Sequence, residues 1–267
     1  MKRIRPVVKY HGGKYFLCRW LIEQFPEHDA YVEPFGGAAT VLLNKPKETF
    51  EIYNDLEYGI YNLYWVVQNQ LHDFLKMIED FDYCQESWLK MQEIMFTPDL
   101  FNKMGRLGQA MCVYATRRMS RGGCGKQFSI SKTRFYNGIE MNEYSWITMI
   151  PELKIISDRI NKVELLNEPA LDVIKKYDKS NTLFYLDPPY PRHTRNSALN
   201  YIKEMTDKDH QDLIDVIKNC RGKVIISSYP NPLYDNMGWR VLDKKITKHS
   251  SQHLIKGKTT ERIYLNF

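Results

Sequence analysis

The sequence predicts an α/β fold with a mostly parallel sheet and an inserted, mainly helical domain. The apolar run at residues 183–186 lacks polar alternation, which suits a strand covered on both faces, and predicted strands alternate with helices before and after the middle of the chain. From about residue 60 to 160 the apolar residues instead recur near helix spacing. The chain has 267 residues, of which 43% are hydrophobic, so it is long enough for one large domain or a core with an insertion.

A strand, a glycine turn, a helix and a second strand are predicted in the N-terminal part. The first strand, residues 31–33, ends at Pro34-Phe35-Gly36-Gly37, a helix begins at Ala38, and the second strand, residues 50–53, ends at Asn54-Asp55. Two glycines let the backbone approach a ligand closely, and an acid about 20 residues after the first strand is placed for ribose hydroxyls. The full G-x-G-x-x-G pattern is absent, and ordinary turns also use Gly-Gly. The prediction that a ligand with a ribose binds at this turn therefore depends mainly on Asp55.

The inserted segment, residues 59–159, is predicted to be mainly helical with one basic loop. A stripe of apolar side chains near helix spacing predicts a core rather than a functional surface. These side chains are Leu63, Val66, Val67, Leu71, Phe74, Leu75 and Ile78. Residues 121–126, Arg-Gly-Gly-Cys-Gly-Lys, are typical of a loop or hairpin tip, and we refer to them as the basic loop.

Strands and helices alternate again in the C-terminal part of the chain. Strands are predicted at residues 162–166, 183–186 and 223–228, and helices at 169–177 and 207–219, with Asp207 as N-cap. Residues 239–242 and 262–267 are predicted to form a closing antiparallel pair. The insertion therefore separates two parts of one α/β domain, residues 1–58 and 160–267.

The strand at residues 183–186 stops abruptly on Asp187-Pro188-Pro189-Tyr190. The prolines lack N–H donors, so the ladder ends there, and a residue before proline is pushed towards an extended conformation. The carboxylate and the Pro188 carbonyl are thereby held at the carboxyl end of a strand, where ligands bind in open α/β sheets. The alternative is an ordinary Pro-Pro turn with a solvated Asp187 and a packing Tyr190.

The positive charge of the chain is concentrated in one segment. The formal net charge is +6, and residues 100–139 contain eight basic side chains and no acid, so all other residues together carry −2. The eight are Lys103, Arg106, Arg117, Arg118, Arg121, Lys126, Lys132 and Arg134. Such a segment is either a solvated face or a surface for a polyanion, and its glycines and aromatic residues favour the second interpretation.

Membrane, secreted and metal-binding classes are not favoured. No apolar run approaches the roughly 18–20 residues needed to span a membrane. The basic N-terminus lacks the continuous apolar segment and the small-residue cleavage site of a signal peptide. The five cysteines, Cys18, Cys84, Cys112, Cys124 and Cys220, are scattered without metal-ligand spacing, which predicts reduced thiols in a cytosolic protein and no metal site.

Motifs in a fixed order resemble those of the Dam-like family of DNA adenine-N6 methyltransferases, over nearly the whole chain. Lys9-Tyr10-His11-Gly12-Gly13-Lys14 is similar to the family's K-W-x-G-G-K, with Tyr10 in place of Trp. Glu33-Pro34-Phe35-Gly36-Gly37 resembles its E-P-F-x-G cofactor turn, and Asn54-Asp55 resembles its ribose-binding N-D. Asp187-Pro188-Pro189-Tyr190 matches its catalytic D-P-P-Y, and residues 260–267 look like its closing strand.

The resemblance implies a Rossmann-like fold that binds S-adenosyl-L-methionine (AdoMet) and methylates N6 of a flipped adenine in double-stranded DNA. No metal is implied, and the family suggests a cytoplasmic protein of bacterial or phage-like origin. Catalysis is assigned to Asp187, Pro188 and Tyr190, whose ring would stack on the base. The implied cofactor-binding residues are Tyr10, Lys14, Glu33, Phe35, Gly36, Asp55 and Asp187. The implied DNA-binding residues are Lys9, Arg117, Arg118, Arg121, Lys126, Lys132, Arg192 and Arg195.

Several alternatives stay open at the level of sequence. Methylation of N4 of cytosine uses the same geometry, usually with Ser where Asp187 stands; RNA methylation and a DNA-binding protein without activity are further alternatives. Relatives that recognise GATC carry an Arg-x-Asn…Gly-x-Phe-Asn-x-Pro pattern, whereas this chain has Arg118-Met119-Ser120 and Lys126-Gln127-Phe128-Ser129-Ile130. The sequence therefore predicts neither the target site nor a restriction endonuclease partner. Arg118 and Arg121 are open to contacts with either guanine or phosphate.

Overall fold

The fold is described from a computed structural model of the chain. It describes residues 3–10, 12–131, 133–194, 204–247 and 258–267, and at residues 247 and 258 the backbone only. The chain forms two compact units, of which the first comprises residues 1–24, 37–46 and 57–167 and the second comprises residues 25–36, 47–56 and 168–267. The domain limits predicted above stay a prediction.

The strands are β1 (Ala30–Glu33), β2 (Phe50–Asn54), β3 (Phe135–Tyr136), β4 (Ile139–Glu140), β5 (Glu164–Leu166), β6 (Thr182–Leu186), β7 (Lys223–Ser228), β8 (Arg240–Thr247) and β9 (Lys258–Leu265). The α-helices are α1 (Cys18–Ile22), α2 (Thr40–Asn44), α3 (Tyr58–Asn69), α4 (Leu71–Glu79), α5 (Gln85–Phe96), α6 (Pro98–Lys103), α7 (Arg106–Arg118), α8 (Met141–Ile147), α9 (Ile150–Ile160), α10 (Ala170–Tyr177), α11 (Asp207–Lys218) and α12 (Pro232–Asp235). Short 3₁₀ helices span Arg121–Gly123 and Arg192–Thr194.

The second unit contains six strands of the larger sheet, in the order β2-β1-β6-β7-β9-β8. The pairs β1–β2, β1–β6 and β6–β7 are parallel, with Ala30 opposite both Phe50 and Thr182. Strand β9 is antiparallel to both β7 and β8. The predicted α/β fold, with a mostly parallel sheet and an antiparallel closing strand, is confirmed.

The central strands of this sheet are buried along their length. All five residues of β6 are buried, and so are all residues of β7 except the first. Their sequences, Thr-Leu-Phe-Tyr-Leu and Lys-Val-Ile-Ile-Ser-Ser, have the β-branched and aromatic residues that fit a strand covered on both faces. Because β6 ends at Leu186, the following Asp187 emerges at the edge of the sheet where the parallel strands terminate.

Helix α11 begins one residue differently from the prediction. Thr206, rather than Asp207, is the N-cap, because its hydroxyl accepts from the Asp209 N–H while the Asp209 carboxylate accepts from the Thr206 N–H. This reciprocal arrangement satisfies two backbone donors of the first turn, which a cap at Asp207 would not do in the same way.

Helix α7 is the buried centre of the first unit. Every residue from Gln109 to Arg118 is buried, and the helix packs against α3, α4 and α5. Tyr114 contributes to an aromatic core, where its ring centroid lies 4.9 Å from that of Trp146 and 5.5 Å from that of Phe74. A helix that is buried on all sides places even its last, basic turn in the interior.

Two turns follow α7. An antiparallel bridge between Ser120 and Phe128 closes the basic loop, as the sequence suggested. A second hairpin, β3–β4, turns at Asn137 and Gly138, whose φ angles are 50° and 81°. The Asn-Gly pair is the usual sequence for a two-residue hairpin turn with both φ angles positive, so this hairpin had a sequence signal that the prediction missed.

Candidate active site and nucleic-acid surface

Three acids of the second unit lie at the same edge of the sheet. Glu33 ends β1, Asp55 follows β2 and Asp187 follows β6, and these three strands are parallel neighbours. The exposed fractions of Glu33 and Asp55 are 2% and 9%, and Asp187 is half-buried. The carboxyl ends of parallel strands are where open α/β sheets bind ligands, so the predicted carboxylates come together in the expected place.

The turn after β1 is held against the end of β2. The Gly36 N–H donates to the Asn54 carbonyl at 2.8 Å, and the Asn54 amide donates to the Pro34 carbonyl at 2.8 Å. A Cβ atom at Gly36 would lie 2.1 Å from the buried ring of Tyr53. Only glycine fits at position 36, where the backbone approaches the Tyr53 ring so closely. The neighbouring Phe35 is half-buried.

Tyrosine hydroxyls bind to acceptors beneath this edge of the sheet. Tyr31 donates to Glu33 at 2.9 Å, Tyr190 donates to Glu261 of β9, and the Tyr185 hydroxyl is 3.0 Å from that of Ser227. Burial, followed by the negative charge of Glu261 and then Asp187, raises the pKa of Tyr190 well above its usual value. The phenol therefore stays protonated and acts as a donor to the buried carboxylate.

Tyr190, whose ring was predicted to stack on the target base, is almost fully buried. Only 6% of it is exposed, and its ring meets that of Tyr229 edge to face at a centroid distance of 4.9 Å. Pro188 is also buried, and no group of the residues that the structure describes donates a hydrogen bond to its carbonyl oxygen. That oxygen keeps its capacity to accept a hydrogen bond, as the sequence predicted.

The two predicted cofactor residues of the first unit lie in the N-terminal segment. Lys14 is 6% exposed, and its ammonium donates to the Gly12 carbonyl at 3.0 Å. Tyr10 is half-buried between Gly37, where a Cβ would come within 3.2 Å of the ring, and the Arg117 guanidinium, 5.0 Å from the ring centroid. The tyrosine ring is therefore in contact with both the turn at Gly37 and the end of α7.

Lys9 is half-buried near Arg118 and Glu140. Its ammonium is 3.4 Å from Asn142 Oδ1, a long hydrogen bond. Burial first, and then the positive charge of Arg118, lower the pKa of Lys9 to about 8, an effect that Glu140 partly offsets. The lysine is held in an environment that disfavours its charge.

Arg117 and Arg118 are not surface cations, contrary to what the charge pattern suggested. Each is 7% exposed at the buried end of α7. Arg117 forms an ion pair with Glu57 at 2.5 Å, and Arg118 donates to the Ser145 carbonyl at 3.0 Å and to its hydroxyl at 3.1 Å. Both side chains are committed inside the first unit, which argues against direct contact with DNA for either.

The other cations predicted to bind DNA are exposed or lie outside the described residues. Arg121 and Lys126 are exposed at the ends of the basic loop in the first unit. Arg192 is exposed in the 3₁₀ helix that follows the D-P-P-Y motif in the second unit. Lys132 and Arg195 lie outside the residues that the structure describes.

Comparison with known families shows the class of protein to which the chain belongs. The sequence model of the family described as D12 class N6 adenine-specific DNA methyltransferase matches residues 10–263. The chain belongs to this family. As the motifs predicted, it is an adenine-specific DNA methyltransferase.

Curated relatives of this methyltransferase carry corresponding names. A "DNA adenine methylase" of Serratia marcescens is 22% identical over an alignment that covers 97% of this chain and 93% of that protein. The protein of the same name from Vibrio cholerae is 24% identical, with 86% and 83% covered. A "DNA N-6-adenine-methyltransferase" of Escherichia phage P1 is 24% identical over 89% of this chain and 32% of its own length.

The structure adds contacts of the methyltransferase that the sequence did not reveal. Asn54 joins the turn after β1 to Glu168, Tyr53 packs under Gly36, Glu57 pairs with Arg117, and Glu261 accepts from Tyr190. Glu261 lay inside a recognised motif, but its partner is 71 residues away in the chain. Pairing across that separation has no local sequence signal.

Two structural absences apply to the described part of the methyltransferase. No cluster of three or more His, Cys, Asp or Glu residues there has the arrangement of a metal site. No helix of that part is long and apolar enough to cross a membrane. The five cysteines, all of which are described, are free thiols.

Proposed function

We propose that this methyltransferase transfers the methyl group of AdoMet to N6 of an adenine turned out of double-stranded DNA at a specific sequence. The observation that supports the proposal most is the end of β6. There the half-buried Asp187 and the Pro188 carbonyl lie in sequence on a chain that two prolines stiffen. Two hydrogen-bond acceptors on a rigid backbone fit an amine that has two N–H groups.

The adenine amine needs activation because its lone pair is delocalised into the ring. We assign one N6–H to Asp187 and the other to the Pro188 carbonyl, so that the nitrogen is drawn towards tetrahedral geometry. The acceptors then stabilise the positive charge that develops on nitrogen, which is preorganised electrostatic catalysis rather than prior removal of a proton by a strong base. After the transfer, one N6 proton leaves along its hydrogen bond to Asp187, so that the methylated amine is neutral. Tyr190 lies beside them and is held by Glu261, and its proposed role is to support the flipped base by aromatic contact.

The turn after β1 fits the adenosyl group of a bound cofactor. Gly36 presents a backbone without a side chain, because Tyr53 leaves no room for a Cβ. Asp55, which follows the next strand, is the proposed acceptor for ribose hydroxyls. Glu33 and Phe35 are the other residues of this unit that are proposed to contact the cofactor. AdoMet supplies a methyl group on a sulfonium that departs as a neutral thioether. Tyr10 and Lys14 remain assigned to the cofactor by family resemblance.

The proposed DNA contacts are made by exposed cations, which are considered separately for each unit. Arg121 and Lys126 present their charges from the basic loop, and Arg192 presents its charge after the D-P-P-Y motif. Phosphate contacts of this kind supply most of the affinity for DNA. Lys132 and Arg195 stay candidates from the sequence, whereas the burial of Arg117 and Arg118 removes both from the proposed set.

Nucleoside analysis of DNA incubated with the chain and AdoMet tests the proposal. We expect N6-methyladenine in duplex DNA and none in the reaction with Asp187→Ala, followed by sequencing that maps a defined site. N4-methylcytosine without N6-methyladenine, or methylation of RNA alone, would contradict the assignment. DNA binding without any methylation would identify a DNA-binding protein that has lost its activity.

A further inference from the structure

Arg117 contacts three separate parts of the first unit from the last turn of α7. Its guanidinium pairs with Glu57 at 2.5 Å, donates to the Gly123 carbonyl at 3.4 Å and lies 5.0 Å from the centroid of the Tyr10 ring. Arg117 and Glu57 are both almost fully buried, with side-chain exposures of 8% and 11%. A buried pair of this kind fixes the guanidinium plane, and with it the groups that the plane touches.

The basic loop is preorganised by contacts around this arginine. The Ser120 hydroxyl donates to the Arg117 carbonyl at 3.2 Å and accepts from the Gly125 N–H at 2.9 Å. The Arg121 N–H donates to the Gln127 carbonyl at 2.9 Å, which closes the loop. Arg121 and Lys126 are therefore presented from a fixed backbone.

The loop also rests directly on the N-terminal motif. At Gly123 a Cβ atom would lie 2.1 Å from the backbone oxygen of Lys9, so the two backbones are in closest contact there. Lys9 is next in sequence to Tyr10, whose ring is enclosed by Gly37 and Arg117. One continuous set of contacts thus runs from the tyrosine assigned to the cofactor to the loop assigned to DNA.

We propose that Arg117 is a positioning residue that couples cofactor binding at Tyr10 to DNA binding by the basic loop. The inference rests on the proposed function, which assigns those two ligands. A cofactor that packs on Tyr10 restricts the remaining motion of its ring, and through the contacts of that ring with Arg117, and of Arg117 and Lys9 with Gly123, it restricts the remaining motion of the loop. Binding of either ligand therefore costs less conformational entropy when the other ligand is already bound. Each ligand raises the affinity of the chain for the other by the same factor.

Two substitutions break this set of contacts at different points. Arg117→Lys keeps a positive charge for Glu57, but a single ammonium cannot also lie flat on Tyr10 and reach Gly123. Gly123→Ala adds a methyl group against Lys9, and Gly122→Ala is its matched control. Both glycines have positive φ, 73° and 65°, so alanine is strained equally at each, but at Gly122 the methyl meets only Cys124 Sγ at 3.8 Å.

The readout is the factor by which each ligand changes the affinity of the other. We would measure the dissociation constant of S-adenosylhomocysteine with and without a saturating duplex that the wild-type chain methylates, and that of the duplex with and without S-adenosylhomocysteine. For the wild type and Gly122→Ala we expect a factor of about 5 or more, within the usual range of coupling. For Arg117→Lys and Gly123→Ala we expect a factor within about twofold of one.

The possible outcomes separate coupling from damage and from the function itself. General destabilisation would weaken both affinities but leave their ratio unchanged. Wild-type coupling in Arg117→Lys, or a factor of one in the wild type, would overturn the inference. Failure of the wild type to bind S-adenosylhomocysteine or to methylate any duplex would instead contradict the proposed function, whatever the variants do.

Discussion

Asp187 contributes a hydrogen-bond acceptor whose place is set by its proline neighbours. Asp187→Ala removes that acceptor, so we expect the single-turnover rate of methylation to fall by about 10²–10³ or more. DNA affinity should stay within about threefold, because phosphate contacts supply most of it. Asp187→Asn is the control, because it keeps one oxygen acceptor but not the negative charge. Its rate should lie between those of the wild type and of Asp187→Ala. A near-normal rate in the alanine variant would show that the methyl transfer does not use this carboxylate.

Tyr190 and Glu261 form a buried hydrogen bond that joins the D-P-P-Y motif to β9. Tyr190→Phe removes the donor to a carboxylate that is only 3% exposed, so we expect the free energy of unfolding to fall by about 1–3 kcal/mol. Urea titration of the folded chain measures this loss. Tyr136→Phe, at a ring that is 48% exposed, is the control and should change stability by less than about 0.5 kcal/mol. Equal losses of unfolding free energy in Tyr190→Phe and Tyr136→Phe would show that the buried hydrogen bond does not stabilise the fold.

Lys9 gives stability a defined dependence on pH. Its folded pKa, about 8, lies below the usual value of 10.5, so between these values the unfolded chain binds more protons than the folded chain. The cost of burying the charge is therefore present in full below pH 8 and is relieved as the pH rises towards 10.5. We expect Lys9→Met to be more stable than the wild type at pH 7, with an advantage that shrinks between pH 8 and 10. Urea titrations of both chains at three pH values test this, and a constant difference would mean that the lysine titrates normally.

At the scale of the element, the turn after β1 depends on Gly36 because of the Tyr53 ring beneath it. Gly36→Ala places a methyl group 2.1 Å from a buried ring, so we expect a loss of about 1–3 kcal/mol in stability and weaker AdoMet binding. Calorimetry of unfolding and of cofactor binding measures both effects. Gly105→Ala is the control, because a Cβ there meets nothing within 4 Å. Unchanged cofactor affinity in Gly36→Ala would separate this turn from the cofactor.

The elements were predictable where the local sequence determines them. The apolar runs of β6 and β7 are buried on both faces, and the prolines after Leu186 end β6 where the pattern indicated. The same reasoning failed for Arg117 and Arg118, because counting cations along a segment does not show which way α7 turns them. Their burial follows from packing against α3, α4 and α5, which are distant in sequence.

The acids of the candidate site could be predicted from the sequence, but the contacts that support them could not. Glu33, Asp55 and Asp187 each follow or end a strand, so parallel pairing alone brings them to one edge of the sheet. The supporting contacts of Asn54 with Glu168 and of Tyr190 with Glu261 join residues that lie far apart in the chain. Such contacts depend on the order of strands, which one sequence does not specify.

At the scale of the whole molecule, only cations that reach phosphates should affect the salt dependence of DNA binding. Arg121→Gln and Lys126→Gln should each reduce the slope of log K against log salt by about one, with little change in stability. Arg118→Gln should leave that slope unchanged but lower stability by about 1 kcal/mol or more, because the side chain is only 7% exposed and its hydrogen bonds to Ser145 are partly buried. Salt-titrated binding together with urea titration distinguishes the two classes. A changed slope in Arg118→Gln would return this arginine to the DNA surface.

The strand order β7-β9-β8 also has a consequence for folding during synthesis. Because β9 lies between β7 and β8 but follows both in the chain, β8 has no sheet neighbour, and β7 pairs only with β6, until residues 258–265 have left the ribosome. The same segment carries Glu261, the partner of Tyr190. A nascent chain that already displays the complete D-P-P-Y motif therefore still lacks the strand that holds its tyrosine. Completion of this part of the sheet and of the surroundings of Tyr190 therefore depends on the same segment.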